Sequence, residues 1–509
     1  MELIKKNEQY IERILKDSEK VSVDEDIIVP DVKPDVLKVI QADARAYITE
    51  SGLTNGGMYA KGKLYVNILY IPDSDENGIC SVNSCFDFKS KLDNPSVTQD
   101  MRLKAGCDVT KADFAAINSR KLSVRACVNV CYEVFGMRET QVSTASDEKD
   151  FECINGCVET QRISAVEACE FTVRDDCEIP SGKKAVDEIL KTDVRIAERD
   201  IKVMQGKLIL KGTAAVCILY RTDDGKTDYF DSEIPFTEVF DVYELEESDC
   251  CTLDLPIGDV SVELNPDSDG DMRAVTVECV MNVSLCASRQ VKTEYISDCF
   301  CPGKKTKITA NETAVNEYIG RITAQSAIKE IIAPDDKLPK IVKIYRTVAE
   351  PEVTGIKTSN GRVDAEGHIK VYILYITDNS KCPVYSFKKD IPFCYSYDCE
   401  KAEESMCTEA CFRAENASAM LNSSGGIDFR CVLKQDITVT RCKKVNFIND
   451  VDTAELDDDG DIVIFFVHDG DTLWNTAKRY SVRPGDIMEL NNMENEVLQP
   501  GQKIIIPCR

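Results

Sequence analysis

Ala60-Lys-Gly62-Lys-Leu-Tyr-Val-Asn-Ile-Leu-Tyr70 alternates apolar and polar residues behind a glycine. Side chains on a β-strand point to opposite faces with period two, so the run reads as a half-buried strand. It returns as Leu210-Lys-Gly212-Thr-Ala-Ala-Val-Cys-Ile-Leu-Tyr220 and as Ala365-Glu-Gly367-His-Ile-Lys-Val-Tyr-Ile-Leu-Tyr375. Gly212 lies 150 positions after Gly62, Gly367 a further 155, and the tyrosines keep the same intervals. Cys127, Cys279 and Cys431, in a later alternating strand, are spaced by 152 and 152. Three landmarks with nearly one period identify tandem units.

Each unit can be read outward from that strand. Upstream, Val29-Pro30, Ile179-Pro180 and Ala333-Pro334 precede short stretches whose apolar spacing is helical: Val36-Leu37-Ile40, Val186-Ile189-Leu190 and Ile341-Val342-Ile344. Downstream, Ile234-Pro-Phe236 and Ile391-Pro-Phe393 match each other, whereas the first unit departs with Cys85-Phe-Asp-Phe88. Pro72-Asp-Ser-Asp-Glu-Asn-Gly78, Thr222-Asp-Asp-Gly225 and Thr377-Asp-Asn-Ser380 read as acidic hairpin turns. The glycine that opens the strand allows a bulge or a close backbone approach. Each unit is therefore expected to be β-rich with one short helix, and large enough to fold alone as one of a string of domains.

At 509 residues and 43% hydrophobic content the chain can bury several cores. Its net charge of −27 makes nucleic acid and anionic lipid poor partners and suits a basic protein or a neutral glycan; solubility alone also explains it. No apolar run approaches the roughly 20 residues of a membrane span. The first twenty residues are charged throughout and lack the apolar core of a signal peptide, so a cytoplasmic home is expected. Leu3, Ile4, Ile11, Ile14 and Leu15 fit one face of an N-terminal amphipathic helix over 1–22, packed on the first unit or docking a partner.

The 24 cysteines make no paired zinc-ribbon set, and the only histidines are His368 and His468, so no metal or other cofactor is expected. In alternating strands such as Val124-Arg-Ala-Cys127-Val-Asn-Val130-Cys131, free thiols read as small buried hydrophobes; later oxidative cross-linking in an assembled shell is the other reading. There is no His-Glu-x-x-His, no phosphate-binding glycine loop and no sign of a Cys-His or Ser-His-Asp site. Carboxylates are too many for any pair to be singled out as glycosidase machinery. The chain is expected not to be an enzyme.

The Pro-led stretch, the Gly-x-ϕ-x-Val-x-ϕ-Leu-Tyr strand and the Ile-Pro-Phe strand resemble the SPOCS domain, which occurs in tandem in Firmicute spore-coat proteins. The resemblance runs from about residue 25 onward. The C-terminal Val467-His-Asp-Gly-Asp-Thr-Leu-Trp474, with Ala477, Tyr480, Asn491-Asn492, Pro500-Gly501-Gln502 and Ile506-Pro507, resembles a LysM domain. That is a small β-α-α-β module that usually binds N-acetylglucosamine polymers such as peptidoglycan or chitin. The expected fold is thus mainly β and multi-domain. SPOCS-like repeats span 23–160, 170–305 and 325–445, an acidic linker or exposed loop spans 446–461, and LysM spans 462–509.

The LysM resemblance implies a ligand groove between two loops, Gly470-Asp471-Thr472-Leu473 and Val497-Leu498-Gln499-Pro500-Gly501. Asp471 and Thr472 also suit a helix start, because their oxygens can accept from unpaired amides of the first turn. Trp474, the only tryptophan, is expected in the module's core with Tyr480 and Ile487 and not as a sugar platform. His468-Asp469 departs from the family's usual uncharged residues. Asp469, Asp471, Glu494 and Glu496 lend the groove negative charge.

Three SPOCS copies before a LysM resemble clostridial coat-morphogenesis proteins. That resemblance implies a scaffold, cytosolic in the mother cell and recruited to the forespore surface. There it would dock a SpoIVA-type coat ATPase and join it to other coat proteins. The other reading is a peptidoglycan-binding protein of wall or cortex whose repeats only space its LysM. A scaffold would draw affinity from several weak contacts at high effective concentration, which explains why no repeat concentrates a chemical motif.

Overall fold

The computed structural model describes residues 2–507 apart from 74–77, 149, 336–337, 380–382 and 457–461. The first unit runs β1 (Leu3–Ile28), β2 (Val36–Thr54), β3 (Gly57–Pro72), β4 (Cys80–Asp93), β5 (Arg102–Asn118) and β6 (Lys121–Ser146). The quoted run is β3, the centre of a three-stranded antiparallel sheet β2-β3-β4. β1 pairs antiparallel with β6 from Leu3↔Ser146 to Ile28↔Lys121, and β5 covers the other side of β6. The two sheets face each other through Leu64, Val66, Ile68 and Tyr70 of β3 and Val124, Val128, Val130 and Tyr132 of β6. Each such fully buried side chain contributes about 1.5–3 kcal/mol.

The plan repeats twice. The second unit is β7 (Glu152–Glu178), β8 (Val186–Met204), β9 (Lys207–Thr222), β10 (Thr227–Asp241), β11 (Cys250–Asp254), β12 (Ile257–Pro266) and β13 (Met272–Phe300). Its edge is split at Leu255-Pro256, where proline has no ladder donor. The third is β14 (Lys304–Ile332), β15 (Ile341–Ser359), β16 (Arg362–Thr377), β17 (Val384–Asp398), β18 (Cys407–Leu421) and β19 (Ile427–Glu455).

The signature residues share one job. Gly62, Gly212 and Gly367 face Phe88, Phe236 and Phe393 across the register. A Cβ at these glycines would come within 2.3, 2.5 and 2.7 Å of those rings, and within 2.5, 2.8 and 2.1 Å of the carbonyls of Tyr47, Glu198 and Glu352. A close approach therefore requires the glycine, and Phe88 shows that the first unit keeps the pairing its Cys85-Phe-Asp-Phe88 seemed to lack. The tyrosines that end the run are wholly buried. Tyr70 donates to the Pro34 carbonyl at 3.0 Å and Tyr375 to that of Pro339 at 3.2 Å. The Tyr220 hydroxyl has no partner among the described residues.

The short helices expected in each repeat are not present. Val36-Leu37-Ile40, Val186-Ile189-Leu190 and Ile341-Val342-Ile344 begin strands β2, β8 and β15. Each strand carries three bulges, the first two at equivalent places: Val36/Lys38 and Val39/Gln41, Val186/Glu188 and Ile189/Lys191, Ile341/Lys343 and Ile344/Arg346. A bulge adds a residue and resets the alternation, so two close together imitate a spacing of three to four. The N-terminal helix fails for the same reason. Residues 3–28 are strand β1, bulged at Ile4/Lys5 and Arg13/Leu15.

The expected boundaries at 160–170 and 305–325 also fall inside strands, β7 and β14, and residues 446–455 of the expected linker continue β19. Residues 457–461 lie outside the described residues. The cysteine landmark slips by one in the first unit. Cys279 and Cys431 point inward, and the inward residue of β6 matching them is Ala126, with Cys127 on the other face. The thiols are mixed among the described residues: six are buried, seven exposed and the rest intermediate. Burial pushes Cys107, Cys251 and Cys299 up to about 12.

The repeats are not beads on a string. β4 lies against β8, β15 against β9 and β17 against β2, so each unit meets both others. Leu69, Leu219 and Leu374 meet at the centre with Ile40, Leu190 and Tyr345, all six from equivalent positions. Around this hub Asp43 pairs with Lys191, and Asp193 with Arg346 at 2.8 Å, again from equivalent positions. At the opposite pole the ends of β1/β6, β7/β13 and β14/β19 form three arms. Bridges Ile11↔Ile163 and Glu317↔Thr160 join these into one large sheet.

Candidate functional site

The module at the C-terminus is β20 (Val463–Phe466), α1 (Leu473–Tyr480), α2 (Pro484–Leu490) and β21 (Lys503–Ile506), the expected β-α-α-β order. The only helices among the described residues are these two. β20 and β21 pair antiparallel, Ile464 opposite Ile505. Their inward residues Phe465, Ile504 and Ile506 bury a core with Leu473, Ala477, Val482 and Ile487, against which Tyr480 and Leu498 pack. Asn491 ties α2 to this sheet: its Nδ2 donates to the Ile505 carbonyl and its Oδ1 accepts from the Ile505 amide, both at 2.7 Å.

The two loops leave the same end of the sheet. The Val467 amide donates to the Gln502 carbonyl at 2.9 Å, and the Gly501 amide returns to the Val467 carbonyl at 2.8 Å. This closed pair fixes the loop bases side by side. In the first loop Gly470 takes φ +87°, a left-handed conformation that favours glycine. Asp471 Oδ2 accepts from the His468 amide at 2.8 Å, and Thr472 Oγ1 caps α1 by accepting from the Asn475 amide at 3.1 Å. In the second loop the Gln499 amide donates to Gln502 Oε1 at 3.0 Å, and Gly501 takes φ +86°.

Of the nine site residues read from the sequence, Gly470, Thr472, Val497, Gln499, Pro500 and Gly501 are exposed and Asp471 is half-exposed. Leu473 and Leu498 have other work, the first buried in the module's core and the second packed on it. The loops therefore present backbone groups, one carboxylate, one hydroxyl, one amide and the 71% exposed Val497. That set suits hydrogen bonding with apolar cover, and offers no nucleophile paired with a base. Among the described residues no cluster of ligating side chains could hold a metal.

Trp474 sits in the core as expected, but one of its walls comes from elsewhere. Its ring meets Phe300 edge-on at 5.0 Å, and its Nε1 donates to Asp298 Oδ2 at 2.8 Å. Lys478 pairs with the same carboxylate, Arg483 pairs with Asp150, and the Gly303 amide donates to the Ser481 carbonyl at 2.9 Å. These partners carry no sequence signal, since Asp298 lies 176 and 180 residues before the groups it meets and Asp150 lies 333 before Arg483.

The architecture is thus that of tandem β-sandwich repeats carrying a small glycan-type module. Residues 35–117, 185–265 and 340–422 match the SipL SPOCS domain, and residues 467–507 match the LysM domain. The chain belongs to the SPOCS-plus-LysM proteins of the SipL type. These domains mark a protein of the sporulation coat or one that binds the cell wall. No curated protein and no solved structure matches the chain. Among the described residues no helix is long and apolar enough to cross a membrane.

Proposed function

We propose that this protein is a non-enzymatic scaffold of spore-coat assembly. It works in the mother cell and is recruited to the forespore surface, where it docks a SpoIVA-type coat ATPase through its SPOCS repeats and its LysM. The observation that carries this reading is the architecture: three repeats locked around one hub, with a LysM whose loops stay exposed. A second feature of the LysM supports docking of a protein. The outward face of its sheet shows Ile464 60%, Phe466 52% and Ile505 40% exposed, with Ile462 beside them. Clustered apolar exposure is typical of a surface that another protein covers.

The exposed loops favour one further reading, binding of peptidoglycan or another N-acetylglucosamine polymer. The discriminating experiment sets the purified full chain, and its Asp471→Ala/Thr472→Ala variant, against the host's SpoIVA-type ATPase and against isolated sacculi. Binding of the ATPase by the parent supports the scaffold; loss in the variant puts the contact on the loops. Retention in the variant moves it to the repeats or to the apolar sheet face. Sedimentation with sacculi and no affinity for the ATPase replaces the scaffold with the wall-binding reading.

A further inference from the structure

We propose that the second repeat, not the third, seats the LysM, and that Asp298 is the positioning residue that sets the module's orientation. The LysM follows the third repeat in the chain, yet Asp298 and Phe300 at the end of β13, and Asp150 just before β7, all belong to the second arm. One carboxylate serves two donors: Trp474 Nε1 on Oδ2 and the Lys478 ammonium on Oδ1. Residues four apart share a helix face, so this grip fixes the rotation of α1 about its own axis. The far end of the helix is held separately. Ser481, at φ +51°, ends α1 in a left-handed turn and its carbonyl accepts from Gly303, while Arg483 reaches Asp150.

Phe300 makes the seat apolar as well as charged. It is 1% exposed and belongs to the same core cluster as Phe465, Leu473 and Ile487 of the LysM. The other arms offer nothing comparable. β6 ends Thr144-Ala145-Ser146 and β19 ends Thr453-Ala454-Glu455, with no aromatic in either final turn of chain, whereas β13 ends Asp298-Cys299-Phe300. A large ring beside a carboxylate occurs only there among the three strand ends.

The seat decides which LysM surfaces a partner meets. Trp474 and Lys478 face the arm, while Gly470, Thr472, Val497, Gln499, Pro500, Gly501 and the Ile464/Phe466/Ile505 face remain exposed. The seat deepens the scaffold reading by stating how the docking end is aimed, and its test needs no partner. Trp474 is the only tryptophan, so its emission reports the seat directly. In the full chain, Asp298→Ala is expected to red-shift that emission and increase its quenching by acrylamide. It should also speed proteolysis between Glu455 and Ile462 by about ten-fold, the effect of losing one charged hydrogen-bonded junction. Lys478→Ala breaks the junction from the LysM side and is expected to do the same, so the proposal stays testable should Asp298→Ala fail to fold. Asp298→Asn keeps an acceptor for Trp474 and falls between. Parental emission, quenching and cleavage in Asp298→Ala and Lys478→Ala would overturn the seat. Binding of the ATPase is measured separately, so a lost seat with binding intact leaves the scaffold standing.

Discussion

The repeats meet at two poles, and the two are built differently. At the hub, equivalent residues do equivalent work: Leu69, Leu219 and Leu374 close on one another, and two of three related positions carry an ion pair. At the arms equivalent apolar residues also meet, Ile296 with Ile448 and Cys299 with Val451, but the polar contacts have no counterparts. Glu8, with a side chain only 9% exposed, pairs with Arg162 at 2.6 Å. Arg162 also donates to Thr293 at 2.9 Å, Ser143 donates to the Ile448 carbonyl at 2.7 Å, and Tyr295 meets Phe447 edge-on at 5.1 Å. Apolar packing between like surfaces tolerates symmetry, because it has no direction. Hydrogen bonds and ion pairs need a particular donor opposite a particular acceptor, so the polar pole has become specific. That divergence lets one arm alone carry an aromatic and a carboxylate for the LysM.

The hub should be the more costly pole to damage. Leu219→Ala is expected to cost about 3 kcal/mol, from lost burial and the cavity left behind. Calorimetry should show the repeats melting earlier, still in one transition. Separate transitions would mean that the units are independent and the hub incidental.

The arm pole should respond to acid. Burial pushes the Glu8 carboxyl up, but the Arg162 guanidinium and Lys6 outweigh it and hold it below the ordinary 4.5. At Glu317, burial is likewise outweighed, by Lys443 and Arg441. A carboxyl depressed in the folded state contributes stability above its unfolded value, and that stability is lost as pH falls through the folded value. Urea midpoints should therefore hold steady from neutrality and drop below about pH 4.5. Glu8→Gln is expected to cost about 2 kcal/mol at neutral pH, because Arg162 loses its charged partner, and to flatten the acid limb. An unchanged acid limb in Glu8→Gln would place the sensitivity elsewhere.

The smallest effect belongs to the hub's ion pairs. Asp43→Ala should cost below about 1 kcal/mol, since Asp43 is well exposed and Lys191 keeps Asp193 at 3.7 Å. The third equivalent position holds Gln41 and Val348, which cannot pair. Gln41→Lys with Val348→Asp should add a comparable increment, visible as a small rise in urea midpoint; a loss would show that the third interface is spaced differently.

How much was legible follows the range of each interaction. The repeat strand, the turn at residues 222–225 and the LysM order were readable because alternation and turn chemistry are local; the turns expected at 72–78 and 377–380 fall in part outside the described residues. Gly62 hinted at close approach, but only the register showed Phe88 filling the place of Phe236 and Phe393. Ile40 and Leu190 misled because, like Tyr345 in the third unit, they are bulge residues: the break in alternation that imitates a helix turns them toward the hub. In the LysM the two loops were placed by local motif, whereas Leu473, read with the first loop, is turned inward by α1. Asp298 and Phe300 had no local mark at all, since a seat for a distant module leaves no periodicity.

Each unit begins and ends at the arm pole, as the pairings of β1 with β6, β7 with β13 and β14 with β19 show. A unit can thus be duplicated or deleted without rethreading a core. Copy number is nonetheless a geometric quantity here. Three leucines close the hub, and a chain with two units would leave that row open to water, while a fourth would find no gap to enter.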